Sequence, residues 1–435
     1  WNLTNQSMFT CRVQAYCSQI LWMLRNHSLF NGGTEKIKVS ITYPLAMSPM
    51  QLRVIKDAWR KAWDDYIDRQ TSFENSGNQF ALESVAPYKY SVVNNTNMNR
   101  TDAYVNVDIG GGSTDILFYK ERPNKTNKSN AYSVFFAAND IWGNGLDPLN
   151  ESEKENGYVK ILRKVLTSDQ KIKLDDYEKM ASSSADVVNY LFSGECGKQM
   201  GWESNYFADI IKQSEVGGVL VVHFSALMYY LANVIKIDKL DTPKIINFTG
   251  MGSKYINIIS PEKNQIEDII RYIFKYVGLV DAGDVTVSLE ENPKEVTAIG
   301  ALYMLDSRTT KISLPASKNV YCITDEEKMD EAPTYKYALG EECQQKTLNQ
   351  TEDFLKLLGD GEFRKIIVNS GINFSLETLI DSGLTGGSLL SSYITMTDAF
   401  RNYSEQDKQQ KLKDAPFFWT LKDTLFKVAN KIGSK

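Results

Sequence analysis

Apolar residues Val13, Tyr16, Cys17, Ile20 and Leu24 recur at helical spacing until Asn31-Gly32-Gly33 breaks the pattern. Ile37, Val39, Ile41 and Tyr43 then alternate with polar neighbours, so the period falls to two and a strand is predicted. Ser48-Pro49-Met50-Gln51 spells a capping box with Pro at the first helical position. Leu52, Ile55, Trp59, Ala62, Trp63 and Tyr66 follow at three- and four-residue steps, predicting a helix over 49–66. Ala103, Val105, Val107 and Ile109 alternate into Asp108-Ile109-Gly110-Gly111-Gly112-Ser113-Thr114-Asp115, and Ile116 to Tyr119 continue as an apolar run. Two antiparallel strands around a glycine turn are predicted there.

Residues 151–215 are Lys-, Glu- and Ser-rich and helix-prone, as suits an inserted subdomain. The most apolar stretch, Val216 to Ile235, approaches membrane-spanning length, but Gly217, Gly218, His223, Ser225 and Asn233 interrupt it and a β-branched strand, Lys244 to Thr249, follows closely. A buried helix is the better reading. Ile266, Ile269, Ile270, Ile273 and Phe274 mark an amphipathic helix, and Val285, Val287 and Leu289 a short strand. Asn292-Pro293-Lys294-Glu295 is a second capping box, opening a helix through Ala298, Ile299, Ala301, Leu302 and Leu305. Residues 345–435 read as mostly helical, with no internal repeat. The alternation of helix and strand predicts an α/β protein.

A length of 435 residues fits two or three domains, and 42% hydrophobic with 24% charged residues excludes wholesale disorder. A net charge of −5 lacks the basic footprint of a dedicated nucleic-acid binder. Cys11, Cys17, Cys196, Cys322 and Cys343 are odd in number and hold no Cys-x-x-Cys pair, so neither a disulfide framework nor a zinc knuckle is expected; a reducing cytoplasm fits. His27 and His223 leave little material for a Ser-His-Asp triad or a histidine metal site. Chemistry is left to carboxylates and backbone amides. The chain opens on Trp1 with no initiator Met and no leader ahead of it, so an excerpt of a longer protein is expected.

Gly110, Gly111 and Gly112 follow an apolar strand and leave backbone N–H groups uncovered, so a polyphosphate can approach closely and be held by amide dipoles. Asp108 can hold a hydrated Mg²⁺, Ser113 adds a hydroxyl for phosphate, and Asp115 closes the hairpin. Thr249-Gly250-Met251-Gly252-Ser253 stands at a strand end before a helix, where a base and ribose can lie against backbone. Glycine turns also serve α/β domains that bind nothing, and Glu83, in Leu82-Glu83-Ser84-Val85-Ala86-Pro87, is by itself an ordinary surface carboxylate.

Taken in order, the segments Val39 to Pro44, Gln51 to Trp59, Glu83 to Ala86, Asp108 to Asp115, Thr249 to Ser253 and Asn292 to Ala301 resemble the actin, heat-shock chaperone and sugar kinase ATPase superfamily. DnaK-type chaperone ATPase domains and bacterial actin homologues are the nearest look, and the likeness runs from residue 36 to 306. It implies two lobes built on ribonuclease H-like sheets that close around MgATP. Asp108 would belong to the Mg²⁺ and water shell, and Gly110, Gly111, Gly112, Ser113 and Asp115 to the phosphate hairpin. Glu83 would orient the attacking water, while Gly250, Gly252 and Ser253 would pack on the adenosine of ATP or ADP. In-line attack on the γ-phosphate would follow, with positioning and charge neutralisation as the main effects.

Two features depart from that family. Met251 replaces the small residue usual in the middle of the adenosine loop. The first phosphate loop, Asp-x-Gly-Thr/Ser, should precede residue 36, where Trp1 to Phe30 reads as helix. Asp381-Ser382-Gly383-Leu384-Thr385 has the right spelling but ends a helix that starts at Ser375, so a helix stop is expected. The organisation expected is residues 1–100 as the remainder of the first lobe, 101–305 as the second lobe, and 306–435 as a mostly helical extension. The function expected is an ATP-driven conformational switch of chaperone or filament type in a bacterial-type cytoplasm. It would hydrolyse ATP if the full chain carries the first loop. Its partners would be nucleotide and a protein client or a second copy, with no nucleic acid and no membrane. The alternatives are a non-enzymatic interaction module that keeps the fold and, less favoured, a small-molecule kinase of the same superfamily.

Overall fold

The protein is α/β, and the alternating segments at 104–109, 114–120 and 245–249 lie side by side in one mixed sheet. The computed structural model describes residues 6–32, 37–43, 49–66, 73–74, 80–94, 99, 101–122, 128–143, 156–203, 205–280, 282–290, 292–305, 316–317, 334–410, 412 and 414–435. Its contacts group into two compact units: residues 1–98 with 295–312, and residues 99–294 with 313–435.

In the first unit the helix Gln6–Phe30 packs along the helix Pro49–Tyr66, with Cys17 and Leu21 buried against Trp59, Ala62 and Trp63. Ile41–Tyr43 pairs in parallel with Phe80–Leu82, and Ile37–Lys38 with Phe73–Glu74. The expected helix has the bounds that its apolar spacing indicates, while Pro44 and the capping Ser48 lie outside the described residues. The helix Pro293–Tyr303 crosses the start of the helix Ala86–Asn94 at Gly300, where a Cβ would overlap the Ala86 carbonyl. Only glycine permits that approach.

The second unit is built on six strands in the order Ala316–Ser317, Lys128–Val134, Thr114–Lys120, Tyr104–Ile109, Ile245–Thr249, Thr286–Leu289. The three strands from 104 to 134 form an antiparallel meander, and Ile245–Thr249 and Thr286–Leu289 add in parallel beyond it. One face carries Val105, Val107, Ile109, Ile116, Phe118, Ile246 and Phe248 into a single core shared with the helix Gly217–Ile237. That helix alone among the described residues has the length and hydropathy to cross a membrane. Since 94% of its apolar window is buried by protein, it reads as a core helix.

Residues 157–213 form five helices, as their composition predicts, and the helices from Glu341–Gly359 to Pro416–Ser434 pack into that same core through Phe354, Phe363, Leu379, Phe417, Phe418 and Leu421. Leu376–Asp381 ends in a Schellman turn: Gly383 has φ +118°, its N–H donates to the Ile380 carbonyl at 2.9 Å, and that of Leu384 donates to the Leu379 carbonyl at 2.8 Å. The Asp-x-Gly spelling there is a helix stop. The last helix crosses Gly157–Val165 so tightly that a Cβ at Gly157 would overlap the Ala429 carbonyl, and one at Gly433 would sit 2.6 Å from the Gly157 Cα. Gly157→Ala should therefore cost about 3 kcal/mol, through forced separation of two helix backbones. Urea melts check it, with Gly112→Ala, which meets nothing within 4 Å, as the near-neutral control.

Candidate active site

Two strands that run in parallel finish at one level. In the ladder Asp108 stands beside Thr249 on one side and opposite Asp115 on the other, and Asp115 in turn faces Ser133. Residues paired directly across a sheet share a face, so these four side chains form one polar row at the carboxyl ends of the strands Tyr104–Ile109 and Ile245–Thr249. Beneath it, Asn106 Nδ2 donates to Thr249 Oγ1 at 3.0 Å and Asn247 Nδ2 donates to Asn106 Oδ1 at 3.1 Å, all fully buried. Asn247 Oδ1 is buried without a hydrogen-bond partner.

The three glycines of the hairpin differ in their surroundings. Gly110 donates its N–H to the Ser113 carbonyl at 2.9 Å, closing the turn. The Gly110 and Gly111 carbonyls accept from the N–H groups of Ala138 and Asn139 at 3.2 and 2.8 Å. A Cβ on Gly111 would lie 3.6 Å from Asn139 Oδ1, whereas one on Gly112 would meet open space. Gly111 and Gly112 are exposed and Ser113 is half-buried, so the tip of the hairpin is accessible while its base is fixed.

The second glycine turn lies directly on the first. Gly250 adopts φ +79°, and a Cβ there would overlap both the Asp108 carboxylate and the Ile109 carbonyl. One on Gly252 would sit 2.6 Å from the Gly110 carbonyl oxygen. Ser253 donates its hydroxyl to the Gly250 carbonyl at 2.7 Å and is buried, so it braces the turn, while Met251 is about half exposed. Asp115 accepts the Ser133 hydroxyl at 2.5 Å inside the sheet.

Asp108, Gly110, Gly111, Gly112, Ser113, Asp115, Gly250, Gly252 and Ser253 are thus gathered at one sheet end of the second unit. Glu83 belongs to the first unit, in the turn after Phe80–Leu82, where it is half-buried, donates its N–H to the Tyr43 carbonyl at 3.0 Å and accepts from Thr42 Oγ1 at 3.3 Å. Among the described residues no three His, Cys, Asp or Glu side chains converge as a metal cluster. The chain matches no protein-family model, and no curated protein matches it.

Behind the hairpin lies a group of residues that periodicity does not single out. His223, on the core helix, is fully buried: Nε2 lies 3.1 Å from the Ala137 carbonyl and Nδ1 2.9 Å from the Tyr255 hydroxyl. A carbonyl only accepts, so Nε2 carries the proton and Nδ1 accepts from Tyr255. Burial lowers the pKa of His223 to about 3 and raises that of Asp140, whose Oδ2 accepts the Ala137 N–H at 2.8 Å, to about 6. Below about pH 6.5 the unfolded chain protonates His223 while the folded protein resists until about pH 3, so stability falls with acid across that window. Asp140 acts in the opposite sense, contributing stability that is lost as pH rises through about 6. His223→Leu should lose about 1–3 kcal/mol at pH 7, by leaving the Tyr255 hydroxyl without its acceptor and the Ala137 carbonyl with only the Asp140 N–H, and should flatten the acid limb. Denaturant melts between pH 4 and 7 measure both effects.

Proposed function

We propose that this sheet end binds the phosphates of a nucleotide, and that the protein is an ATP-binding conformational switch of the actin-like class with two lobes. The observation that carries the reading is the interlocking of two glycine turns at the ends of neighbouring parallel strands, with the exposed amides of Gly111 and Gly112 beside them. Amides presented by a braced turn suit an anion.

In this reading Gly111, Gly112 and Ser113 hold phosphate oxygens, and the Gly250 to Ser253 turn flanks the adenosine with Met251 at its rim. Asp115 keeps the hairpin shut from within the sheet. Asp108 suits Mg²⁺, because a magnesium–nucleotide site takes one or two carboxylates and completes its octahedron with waters and phosphate oxygens. The ion would neutralise phosphate charge. A protein client or a second copy would read the resulting change of state.

MgADP at about one hundred times its Kd should stabilise the protein by about 2.7 kcal/mol, visible as a raised melting temperature. Gly112→Ala should leave the unliganded melting temperature unchanged, since its Cβ meets nothing, yet abolish the shift by filling the space where phosphate approaches. Asp108→Asn should remove the Mg²⁺ dependence of the shift. A protein whose melting is indifferent to millimolar MgADP is instead an interaction module that keeps the fold without the ligand.

A further inference from the structure

Between the strand Lys128–Val134 and the short helix Asn139–Trp142 the chain forms a strap whose backbone N–H groups are shared between the hairpin and a buried ion group. Ala138 and Asn139 donate to the Gly110 and Gly111 carbonyls at 3.2 and 2.8 Å. Ala137 donates to Asp140 Oδ2 at 2.8 Å, and Phe135 to Asp414 Oδ1 at 3.1 Å. The second oxygen of Asp414 accepts from Lys422 Nζ at 2.9 Å, with the two side chains only 9% and 6% exposed. Phe136 is stacked on His223, with centroids 4.2 Å apart, and on Phe418 at 4.5 Å. The helix Pro416–Ser434 thus touches the strap through the Phe418 ring, and its Lys422 is paired to Asp414, the carboxylate that accepts a strap N–H.

Three buried charges, Asp140, Asp414 and Lys422, therefore stand directly behind the phosphate hairpin. Burial opposes the charge on Lys422, but Asp414 and Asp140 outweigh it and hold the ammonium protonated. Without that ammonium two carboxylates would remain in the interior with no counter-charge, and the strap that binds both would have to admit water or move. Its movement carries the Gly110 and Gly111 carbonyls with it.

We propose that Lys422 is a positioning residue for the glycine hairpin, so that the carboxyl-terminal helix sets the aim of the Gly111 and Gly112 amides through Asp414, Asp140 and the strap. The inference rests on reading the hairpin as the phosphate-binding element. It gives the last helix a role in the site that its remoteness in sequence conceals.

The test compares the full chain with Lys422→Met and with the charge-balanced Lys422→Met/Asp414→Asn. Amide hydrogen exchange is read at the bonded amides of Gly110, Ala137, Ala138 and Asn139, and MgADP affinity by titration. In Lys422→Met those amides should exchange at least tenfold faster while amides in the middle of the helix Glu341–Gly359 change less than twofold, and MgADP should bind at least tenfold more weakly. The double variant should restore both to within threefold. Hairpin amides that exchange at the wild-type rate in Lys422→Met, or an equal acceleration throughout the second unit, overturn the proposal. Where Lys422→Met does not fold, Lys422→Gln, which keeps a donor for Asp414 but drops the charge, is read the same way. A wild-type protein that ignores MgADP defeats the nucleotide reading alone, because the exchange measurement still decides the coupling. Unchanged exchange in a protein that binds MgADP defeats the coupling alone.

Discussion

Gly250 and Gly252 approach the end of the Asp108 strand so closely that no side chain fits between them. That approach requires a left-handed backbone at Gly250 and bare Cα atoms at both positions. With it, the turn after Ile245–Thr249 rests on the turn after Tyr104–Ile109, and the polar ends of two parallel strands share one place. Parallel pairing supplies the condition for this, since neighbouring parallel strands finish on the same edge of the sheet. The segment between the two strands contains the hairpin, the helices from 157 to 213 and the core helix, so the site depends on a long crossover folded onto one face.

Register is what keeps the row in place. Val105, Val107 and Ile109 point into the core, and Asn106 and Asp108 to the other face. A slip of one residue would drive Asn106 or Asn247 into the apolar core and lift Val107 or Phe248 out of it. The buried chain of Asn247, Asn106 and Thr249 reinforces the choice, because these groups satisfy one another only in the observed alignment. Asn247 Oδ1, buried and unpaired, is the cost of placing polar side chains there.

Local signals were enough for the elements that the chain builds from near neighbours. The apolar spacing from Leu52 to Tyr66, the alternation around Asp108 and the helix stop at Gly383 each depend on residues within a few positions, and all three are realised. The site was legible as a set of glycines, but the differences among them were not. In sequence Gly110, Gly111 and Gly112 look alike; in the fold the carbonyls of the first two are tied to Ala138 and Asn139, and Gly112 alone has open space beside its Cα. Ser253 has the spelling of a ligand residue, yet its hydroxyl braces its own turn, a choice made by loop geometry. Asp414 meets the backbone of Phe135 across 279 positions, and no periodicity carries a contact of that range.

The arrangement separates a fixed base from an open tip. His223, Asp140, Asp414 and Lys422 are buried in a medium where charges and dipoles are weakly screened, so displacing any of them from the strap is costly. Gly111 and Gly112, a few residues away, are exposed and carry no side chain that must be moved for an anion to approach. A loose glycine loop would have to lose conformational freedom when it closed on an anion. Here the carbonyls behind Gly110 and Gly111 are already bonded, so much of that ordering is achieved when the protein folds. In the proposed reading the glycines supply access and the buried charges supply aim, and either without the other would make a poor phosphate cradle.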